Sequence, residues 1–361
     1  MNLMPGMDAN SPGGEPQVVP SALKVWGLGS WQLWIGIIFS LGFLWLALHG
    51  VNLSVTAKAL HQVNLLILSL AVASYVFSIV AKAARWQLLL AVHKAPSLGR
   101  AFSIFSVGQM VNSFFPAHLG EFVRAYLMGE AEADSKVYVL GTVAVERMAD
   151  LLFLLISLIL LLSQMTLPDW LASPARGTAL VMAILMPFFV LLAWQRNFVL
   201  RMVERASHLV PLAWREWLVQ QADFGLASLD AVRRPRLLAG LLGWSLIVYL
   251  ISALTNYLVI LALGLVLPFW TSLLLLVVLQ IGTAVPSSPG RIGVFQYLVI
   301  LALSILFVDK GVALGYSIIL YLVTYIPIAL IGSYCFWREK ITWKKLAEAA
   351  AMLNRLGNRA K

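Results

Sequence analysis

Long apolar segments are the feature that most constrains this chain. Six of them come close to the length of about 20 residues that a helix needs to cross a bilayer. They cover residues 31–49, 65–85, 137–165, 178–194, 238–263 and 312–337. Of the 361 residues, 61% are hydrophobic and only 12% are charged, whereas a soluble domain is about 25% charged. A soluble core could not cover so much apolar surface, so the sequence predicts an all-α polytopic membrane protein with six full transmembrane helices.

Two further apolar segments are short and interrupted. The first, 101–115, stops at Pro116, and the second, 272–285, stops at a Pro-Ser-Ser-Pro-Gly sequence before it resumes at residue 292. Proline and glycine end a helix, so each segment predicts a broken helix or a re-entrant hairpin within the membrane. We place these hairpins at 101–130 and 271–308. Their predicted helix-break residues are Pro116, Gly120, Pro286, Pro289, Gly290 and Gly293.

The distribution of lysine and arginine predicts the orientation. With both termini in the cytoplasm, the cytoplasmic segments contain most of the basic residues, as the positive-inside rule requires. This arrangement predicts a disordered tail at 1–30, an external loop at 166–177, a cytoplasmic loop at 195–236 and a basic tail at 338–361. The formal charge of +10 is therefore interpreted as a signal of topology in a cell membrane (inner or plasma membrane) and not as evidence for nucleic-acid binding.

The two interrupted segments share a short pattern. Residues 116–122 and 289–295 both read Pro-x-basic-aliphatic-Gly-x-Phe if His118 is counted as basic, and they lie 173 positions apart. The same offset relates the neighbouring spans, which predicts two repeats at 31–165 and 178–337. Because the two hairpins would enter from opposite sides, the repeat is predicted to be inverted. Interrupted helices at matching positions of inverted halves indicate a transporter's binding site.

The cytoplasmic loop contains a helical pattern beside Arg201 and Arg205. Its apolar positions are Phe198, Val199, Met202, Val203, Ala206 and Leu209. Such a helix suits the inner membrane face, where it would bind anionic lipid. A connector with a solvated basic side explains the pattern equally well, and the sequence does not decide between the two.

Six charged residues of the predicted spans and hairpins stand out as candidates, because a charge within the membrane is costly and usually functional. Glu121 and Arg124 are one turn apart and can pair, while Glu146 and Asp150 share a helix face and therefore need a nearby cation. Arg124 or Arg291 is expected to supply that cation, and Arg147 is expected to contact another helix or a ligand. The six residues are Glu121, Arg124, Glu146, Arg147, Asp150 and Arg291.

These residues predict a polar cavity between the two hairpins. Arginine binds phosphate through two parallel hydrogen bonds, so Arg124, Arg147 and Arg291 are predicted to hold an anionic lipid headgroup together with Asn112, Ser287 and Ser288. Glu121, Glu146 and Asp150 are the predicted acidic partners. Two alternatives remain: the charges only lock helix packing, and the two serines only satisfy backbone groups freed by the break.

Motifs for other chemistry are not found. The single cysteine, Cys335, excludes an intramolecular disulfide, and the five histidines lack the spacing of metal ligands. No nucleotide-binding loop or catalytic triad is recognisable. We therefore expect no catalytic residue, no metal site, no cofactor and no enzymatic activity. The rival hypotheses are an intramembrane enzyme with Glu121 or Asp150 as its base, and an accessory subunit of a lipid-synthesis complex.

Three motifs together resemble one family. Residues 112–124 read NSFFPAHLGEFVR, residues 145–150 read VERMAD and residues 286–295 read PSSPGRIGVF. This order resembles the lysylphosphatidylglycerol synthase transmembrane family, also called flippase-like, YbhN or UPF0104, over about 31–337. The resemblance implies a flippase that moves an anionic phospholipid or a glycosylated, polyprenyl-linked lipid between leaflets, with lipid-synthesis enzymes as partners. The resemblance covers the transmembrane region of the family and does not include the C-terminal transferase domain of its bifunctional members.

Two positions depart from the family pattern. His118 stands where the first motif commonly has arginine, and Gln296 stands where the second motif commonly has an acidic residue. A family mechanism that uses the acid as a partner for a proton or a cation is therefore in doubt for this chain.

Overall fold

The secondary structure of the described part of the chain consists of helices joined by short turns and loops. The structure, a computed structural model, describes residues 31–115, 118–165, 168–208, 212–282 and 288–349, and contains no strand within them. The predicted break residues Pro116 and Pro286, the predicted headgroup residue Ser287, Leu209, and the terminal segments 1–30 and 350–361 lie outside these ranges.

Fourteen α-helices are numbered here in chain order over the described residues up to Arg338. The first seven are α1 (Trp31–Leu48), α2 (Leu53–His61), α3 (Leu65–Leu90), α4 (Leu98–Phe114), α5 (Leu119–Ala131), α6 (Lys136–Leu162) and α7 (Asp169–Trp194). Then follow α8 (Arg196–Ser207), α9 (Leu212–Ala227), α10 (Asp230–Arg233), α11 (Pro235–Ala262), α12 (Trp270–Gly282), α13 (Val294–Ser304) and α14 (Lys310–Arg338). A 3₁₀ turn at Pro289–Arg291 precedes α13, and residues 343–349 are helical again.

Several helices begin at a polar capping residue. The Asn64 side chain accepts hydrogen bonds from the backbone N–H groups of Leu66 and Ile67 at the start of α3. Asp309 caps α14, and serines cap α4 and α6 in the same way. These side chains satisfy N–H groups that have no partner within the helix, and each such cap stabilises a helix by about 1 kcal/mol.

Four helices are long and apolar enough to cross a membrane: α3, α7, α11 and α14. A fifth span is formed if α1 and α2, which meet at an angle of 84°, are counted as one. The 27-residue helix α6 covers the predicted span at 137–165, but three charged residues, Glu146, Arg147 and Asp150, interrupt its apolar sequence. Six full spans and the orientation of the termini therefore stay predictions, while the multi-pass helical architecture is confirmed.

Some predicted boundaries were wrong. Helix α7 begins at Asp169, so most of the segment predicted as an external loop at 166–177 is helical. Helix α3 continues to Leu90 instead of ending at residue 85, because its polar residues are accommodated by neighbouring helices. The segment predicted as a cytoplasmic loop at 195–236 is mostly helical: α8 matches the helical pattern around Phe198, and α9 and α10 cover most of the remainder.

The helix bounds repeat at nearly the predicted offset. The first residues of α3, α4, α5 and α6 are 65, 98, 119 and 136, and those of α11, α12, α13 and α14 are 235, 270, 294 and 310. The matching helices α3 and α11 pack antiparallel: Ser74 contacts Thr255, while Arg85, farther along α3, contacts Ser245, which is earlier in α11. Antiparallel packing of matching helices is what an inverted repeat requires.

Each predicted hairpin is a pair of packed helices around a break. In the first hairpin, α4 and α5 approach closely, because a Cβ atom at Gly120 would lie 1.8 Å from the carbonyl oxygen of Gly108. In the second hairpin, α12 and α13 flank a turn in which Gly290 and Gly293 have φ angles of 77° and 92°. Such angles are natural for glycine and strained for other residues.

Candidate functional site

A polar cavity of about 270 Å³ lies between the two hairpins. Both hairpins contribute to its wall, as do α3, α6, α11 and α14. Its charged and titratable side chains are Lys82, His118, Arg147, Asp150 and Arg291. Uncharged polar side chains complete the polar lining: Gln109, Asn112, Ser113, Tyr249, Ser252, Gln280 and Tyr325. The predicted cavity between the hairpins is therefore present.

The predicted site residues separate into two groups. Arg147, Arg291, Asn112 and Asp150 line the cavity. Arg124 and Glu146 do not, since both are buried in the helix packing, with 3% and 5% of their surfaces exposed. Glu121 does not line the cavity itself but contacts two residues that do, Arg147 and His118. Ser288 is not one of the described residues that line the cavity. Its backbone N–H donates a hydrogen bond to the Ser40 side chain of α1.

An ion-pair cluster of Arg85, Arg124, Glu146 and Asp150 borders the cavity; Asp150 lines the cavity, and the other three side chains are buried behind it. Arg85 donates to Glu146 at 2.9 Å and to Asp150 at 2.6 Å. Arg124 donates to the second carboxylate oxygen of Glu146 at 2.7 Å. Each carboxylate thus faces a guanidinium at hydrogen-bond distance, which is the arrangement that makes buried charges tolerable.

Aromatic side chains complete the surroundings of Arg124. Its guanidinium carbon lies 4.2 Å from the ring centre of Trp86 and 4.5 Å from that of Phe105, so both rings contribute a cation–π interaction. Its aliphatic stem passes Gly108, where a Cβ atom would lie 2.3 Å from the Arg124 Cγ atom. Arg124 is therefore a fixed part of the core, and its predicted role in headgroup binding is not supported by its position.

The acidic residue Glu121 has a different partner from the one expected. Although Glu121 and Arg124 are one turn apart, Glu121 pairs with Arg147 of α6, while Arg124 turns into the core. Both the Nε atom and a terminal nitrogen of Arg147 donate to the same Glu121 oxygen. The prediction that Arg147 reaches another helix is confirmed. Its side chain remains 46% exposed, so it also faces the cavity.

Lys82 and Arg85 are the residues that sequence reasoning missed. Both stand at the cytoplasmic end of the span predicted at 65–85. In the structure they lie one turn apart within α3, which continues to Leu90. Arg85 is 1% exposed and pairs with both Glu146 and Asp150. Arg124 pairs with Glu146, as expected, so Arg85 is the additional cation that was not foreseen. The carboxylate pair was the signal that a cation was needed, but only the packing of α3 against α6 identifies Arg85.

The two matching basic positions of the repeat meet at the cavity. His118 of the first motif and Arg291 of the second have left-handed backbone φ angles of 52° and 55°, and both side chains line the cavity. Left-handed backbone is uncommon for residues other than glycine. The same unusual conformation at both positions therefore supports the internal repeat independently of the sequence match.

The helix-break predictions have mixed outcomes. Pro289, Gly290 and Gly293 lie at the break before α13, as predicted. Gly120 does not break a helix, because it lies inside α5, where it allows the close approach to α4. Its backbone N–H donates to the Asn112 side chain at 2.7 Å. Asn112 therefore satisfies a backbone group near the break in addition to lining the cavity.

Gln296 shows what replaces the acidic residue of the family pattern. Its side-chain oxygen accepts a hydrogen bond of 2.7 Å from the backbone N–H of Gly293. Gln296 is buried and stabilises the first turn of α13, and it does not line the cavity as described. Across the described ranges, no group of three or more His, Cys, Asp or Glu side chains is placed to hold a metal ion.

Comparisons with known proteins agree with this architecture. A family model described as the lysylphosphatidylglycerol synthase TM region matches residues 33–332. A relative named UPF0104 membrane protein MJ1078, from Methanocaldococcus jannaschii, is 25% identical over 228 residues, which is 63% of this chain and 93% of the relative. No solved structure gives a significant match.

Proposed function

We propose that this chain, which belongs to the lysylphosphatidylglycerol synthase transmembrane family, moves a lipid with an anionic or glycosylated headgroup between the two leaflets of its membrane. The headgroup would enter the polar cavity between the hairpins. The family supports a role connected with membrane lipids, and the transport step is our inference from the chemistry of the cavity.

The observation that carries the proposal is the excess of positive charge in the cavity. Lys82, Arg147 and Arg291 line it together with one carboxylate, that of Asp150. Within the described ranges, neither Lys82 nor Arg291 has an ion pair. Cations at membrane depth are costly unless something compensates them, and an anionic headgroup would do so. Phosphate is well suited, because it accepts charge-assisted hydrogen bonds from both side chains.

An apolar groove is formed by α3 and α14, the two helices that also contribute Lys82 and Tyr325 to the polar cavity. It has a volume of about 410 Å³ and is lined by residues of α3 and α14, among them Val76, Leu322 and Ile326. Ile326 directly follows Tyr325, which lines the polar cavity. Two helices that line both a polar cavity and an apolar groove suit an amphipathic ligand, whose headgroup and hydrocarbon chain need different surroundings.

Leaflet exchange in reconstituted vesicles tests this function. The purified protein is inserted into liposomes with a fluorescent lipid, and a membrane-impermeant reductant bleaches whatever reaches the outer leaflet. We expect the bleached fraction to exceed that of empty vesicles for phosphatidylglycerol or for a glycosylated polyprenyl phosphate. No exchange above empty vesicles with any of these lipids would contradict the proposal. Product formation in detergent, where no leaflets exist, would favour an intramembrane enzyme.

A matched pair of variants links exchange to the cavity. Lys82→Met keeps the length and helix propensity of the side chain but removes its charge. A lost hydrogen bond to a charged group costs about 1.5–3 kcal/mol, so we expect exchange to fall about ten-fold or more. Arg176→Met removes an exposed cation of α7 outside the cavity and should leave the rate unchanged. Equal rates in both variants would exclude Lys82 from headgroup binding.

A further inference from the structure

Helix α8 is the part of the predicted 195–236 loop that follows directly on the apolar helix α7. It covers Arg196–Ser207 and is separated from the end of α7 at Trp194 by one residue, Gln195. Val199 and Leu200 pack on a core cluster that contains Leu89 of α3 and Val145 of α6. Helix α8 therefore lies against the bundle near the end of a long apolar helix, and its opposite side faces outward.

The outward side of α8 has an apolar edge. Phe198 and Met202 are 52% and 54% exposed, and Trp194 at the end of α7 is 73% exposed. Phe198 and Met202 are four residues apart on α8, so they form one stripe along that helix, and Trp194 is the last residue of the preceding helix α7. An aromatic and apolar stripe of this kind has no stabilising partner in water, whereas tryptophan and phenylalanine are favourable at the boundary between headgroups and acyl chains.

A basic edge runs beside the apolar edge. Arg201 lies three residues after Phe198, and Arg205 lies three residues after Met202, so each arginine neighbours one apolar side chain. Both arginines are exposed, and neither forms an ion pair with any residue in the described ranges. The remaining outward positions are polar, with exposed Asn197 and Glu204. The order around the helix is thus apolar, basic and polar.

We propose that α8 is a binding site for the headgroups of anionic phospholipids. The apolar stripe inserts at the level of the upper acyl chains, Arg201 and Arg205 bind lipid phosphates, and Asn197 and Glu204 face water. This order around the helix matches the order of chemistry from the bilayer interior to the solvent. Each arginine near an anionic surface strengthens the attraction about five-fold. The proposal does not depend on the transport function.

Depth measurements on labelled α8 test the proposal in the full-length protein. Cys335 is the single cysteine and is buried, so a Cys335→Ala background accepts one spin label at a chosen site. Met202→Cys reports on the apolar edge, and Asn197→Cys on the same helix is its matched control. In nanodiscs that contain phosphatidylglycerol, we expect the Met202→Cys label to collide with oxygen and to be shielded from a water-soluble nickel complex. The Asn197→Cys label should show the reverse.

The two arginines are tested in the same assay. We expect Arg201→Gln with Arg205→Gln to shift the ratio of inserted to withdrawn Met202→Cys label by up to about 25-fold in phosphatidylglycerol. Nanodiscs of phosphatidylcholine should give the withdrawn state without any substitution. Equal nickel accessibility at residues 202 and 197 would overturn the proposal and leave α8 a connector in water. Insertion that is equal in both lipids and independent of the arginines would also overturn it, because anionic headgroups would then not be recognised.

Discussion

The two hairpins have matching motifs, but they use their charged residues differently. In the first, Arg124 is buried and paired with Glu146 of α6. In the second, Arg291 lies at the turn and faces the cavity, and no ion pair involves it in the described part of the chain. The first hairpin is therefore fixed to the core by its charge, while the charge of the second faces the open cavity.

The packing of the hairpin arms differs in the same direction. At Gly120 in the first hairpin, the nearest atom to an added Cβ is a backbone oxygen of the opposite arm. At Gly282 in the second hairpin, it is the end of the Leu298 side chain, which can move. The comparison teaches that a matching sequence motif does not imply a matching mechanical role: one arm pair is rigid, and the other has room to adjust.

The largest expected effect comes from the buried cluster of the first hairpin. Glu146→Gln leaves Arg85 and Arg124 buried without their shared carboxylate, which costs about 3–5 kcal/mol in a buried pair. We expect a strongly lowered melting temperature in detergent, measured by tryptophan fluorescence. Glu132→Gln is the control, because its pair with Arg100 is partly exposed and such pairs contribute at most about 1 kcal/mol. If Glu146→Gln and Glu132→Gln had equal melting temperatures, the ion-pair cluster would not stabilise the first hairpin.

The second prediction compares the two pairs of arms directly. Gly120→Ala places a Cβ atom 1.8 Å from the Gly108 carbonyl oxygen, so α4 and α5 must separate, at a cost of about 1–3 kcal/mol or more. Gly282→Ala meets only the Leu298 methyl group and gains helix propensity, so its free energy of unfolding should change by less than about 1 kcal/mol. Unfolding in denaturant measures both values. A larger loss in Gly282→Ala would reverse the comparison.

The third prediction separates stability from transport. Arg291→Asn removes the cation and keeps a residue that tolerates left-handed backbone. We expect leaflet exchange to fall about ten-fold or more, from the loss of charge-assisted hydrogen bonds, with the melting temperature unchanged. Arg124→Ala should instead lower the melting temperature, because Glu146 loses one of its two partners. If Arg291→Asn unfolds the protein or keeps full exchange, the second hairpin does not present a ligand-binding charge.

The smallest effect is expected from making the two turns alike. His118→Arg gives the first turn the residue found at the matching position of the second, where arginine already adopts the same backbone conformation. One more cation in the cavity is worth about 1 kcal/mol at a distance of about 4 Å in a watery surrounding, so anionic headgroups should bind about five-fold more tightly. Titration with a short-chain anionic lipid measures this, and His61→Arg, at an exposed position of α2, is the control. Unchanged binding would place His118 outside the headgroup site.

Local features of this fold could be predicted from the sequence. The interruptions at the hairpins, the repeat offset and the helix around Phe198 depend on residues that are close together in the chain. Proline, glycine and apolar spacing report such features directly. The partner of Arg147 was also foreseen in kind, because Arg147 points away from the adjacent Glu146; it pairs with Glu121 of α5 and also approaches Asp150, one turn along α6, at 3.9 Å.

Long-range features could not be predicted in this way. Arg85 and Glu146 are 61 positions apart, and no pattern in either segment identifies the other as its partner. Hydropathy falls where charged residues occur, so the span that contains Lys82 and Arg85 was predicted to end at residue 85. The helix in fact continues to Leu90. Gly120 was assigned to a break because glycine is typical of turns. Glycine also allows two helices to pack closely, and only the position of the opposite helix shows that Gly120 has this second role.

The contacts of α1 and α2 have a consequence for how the protein is made. Ser40 accepts the backbone N–H of Ser288, which is 248 positions later, and Thr56 donates to the Gly311 carbonyl, 255 positions later. At a synthesis rate of about 5–20 residues per second, about 10–50 s separate the appearance of these partners. Helices α1 and α2 therefore reach their final contacts only after the second half of the fold has been made, and Ser40 and Thr56 lack these partners until then.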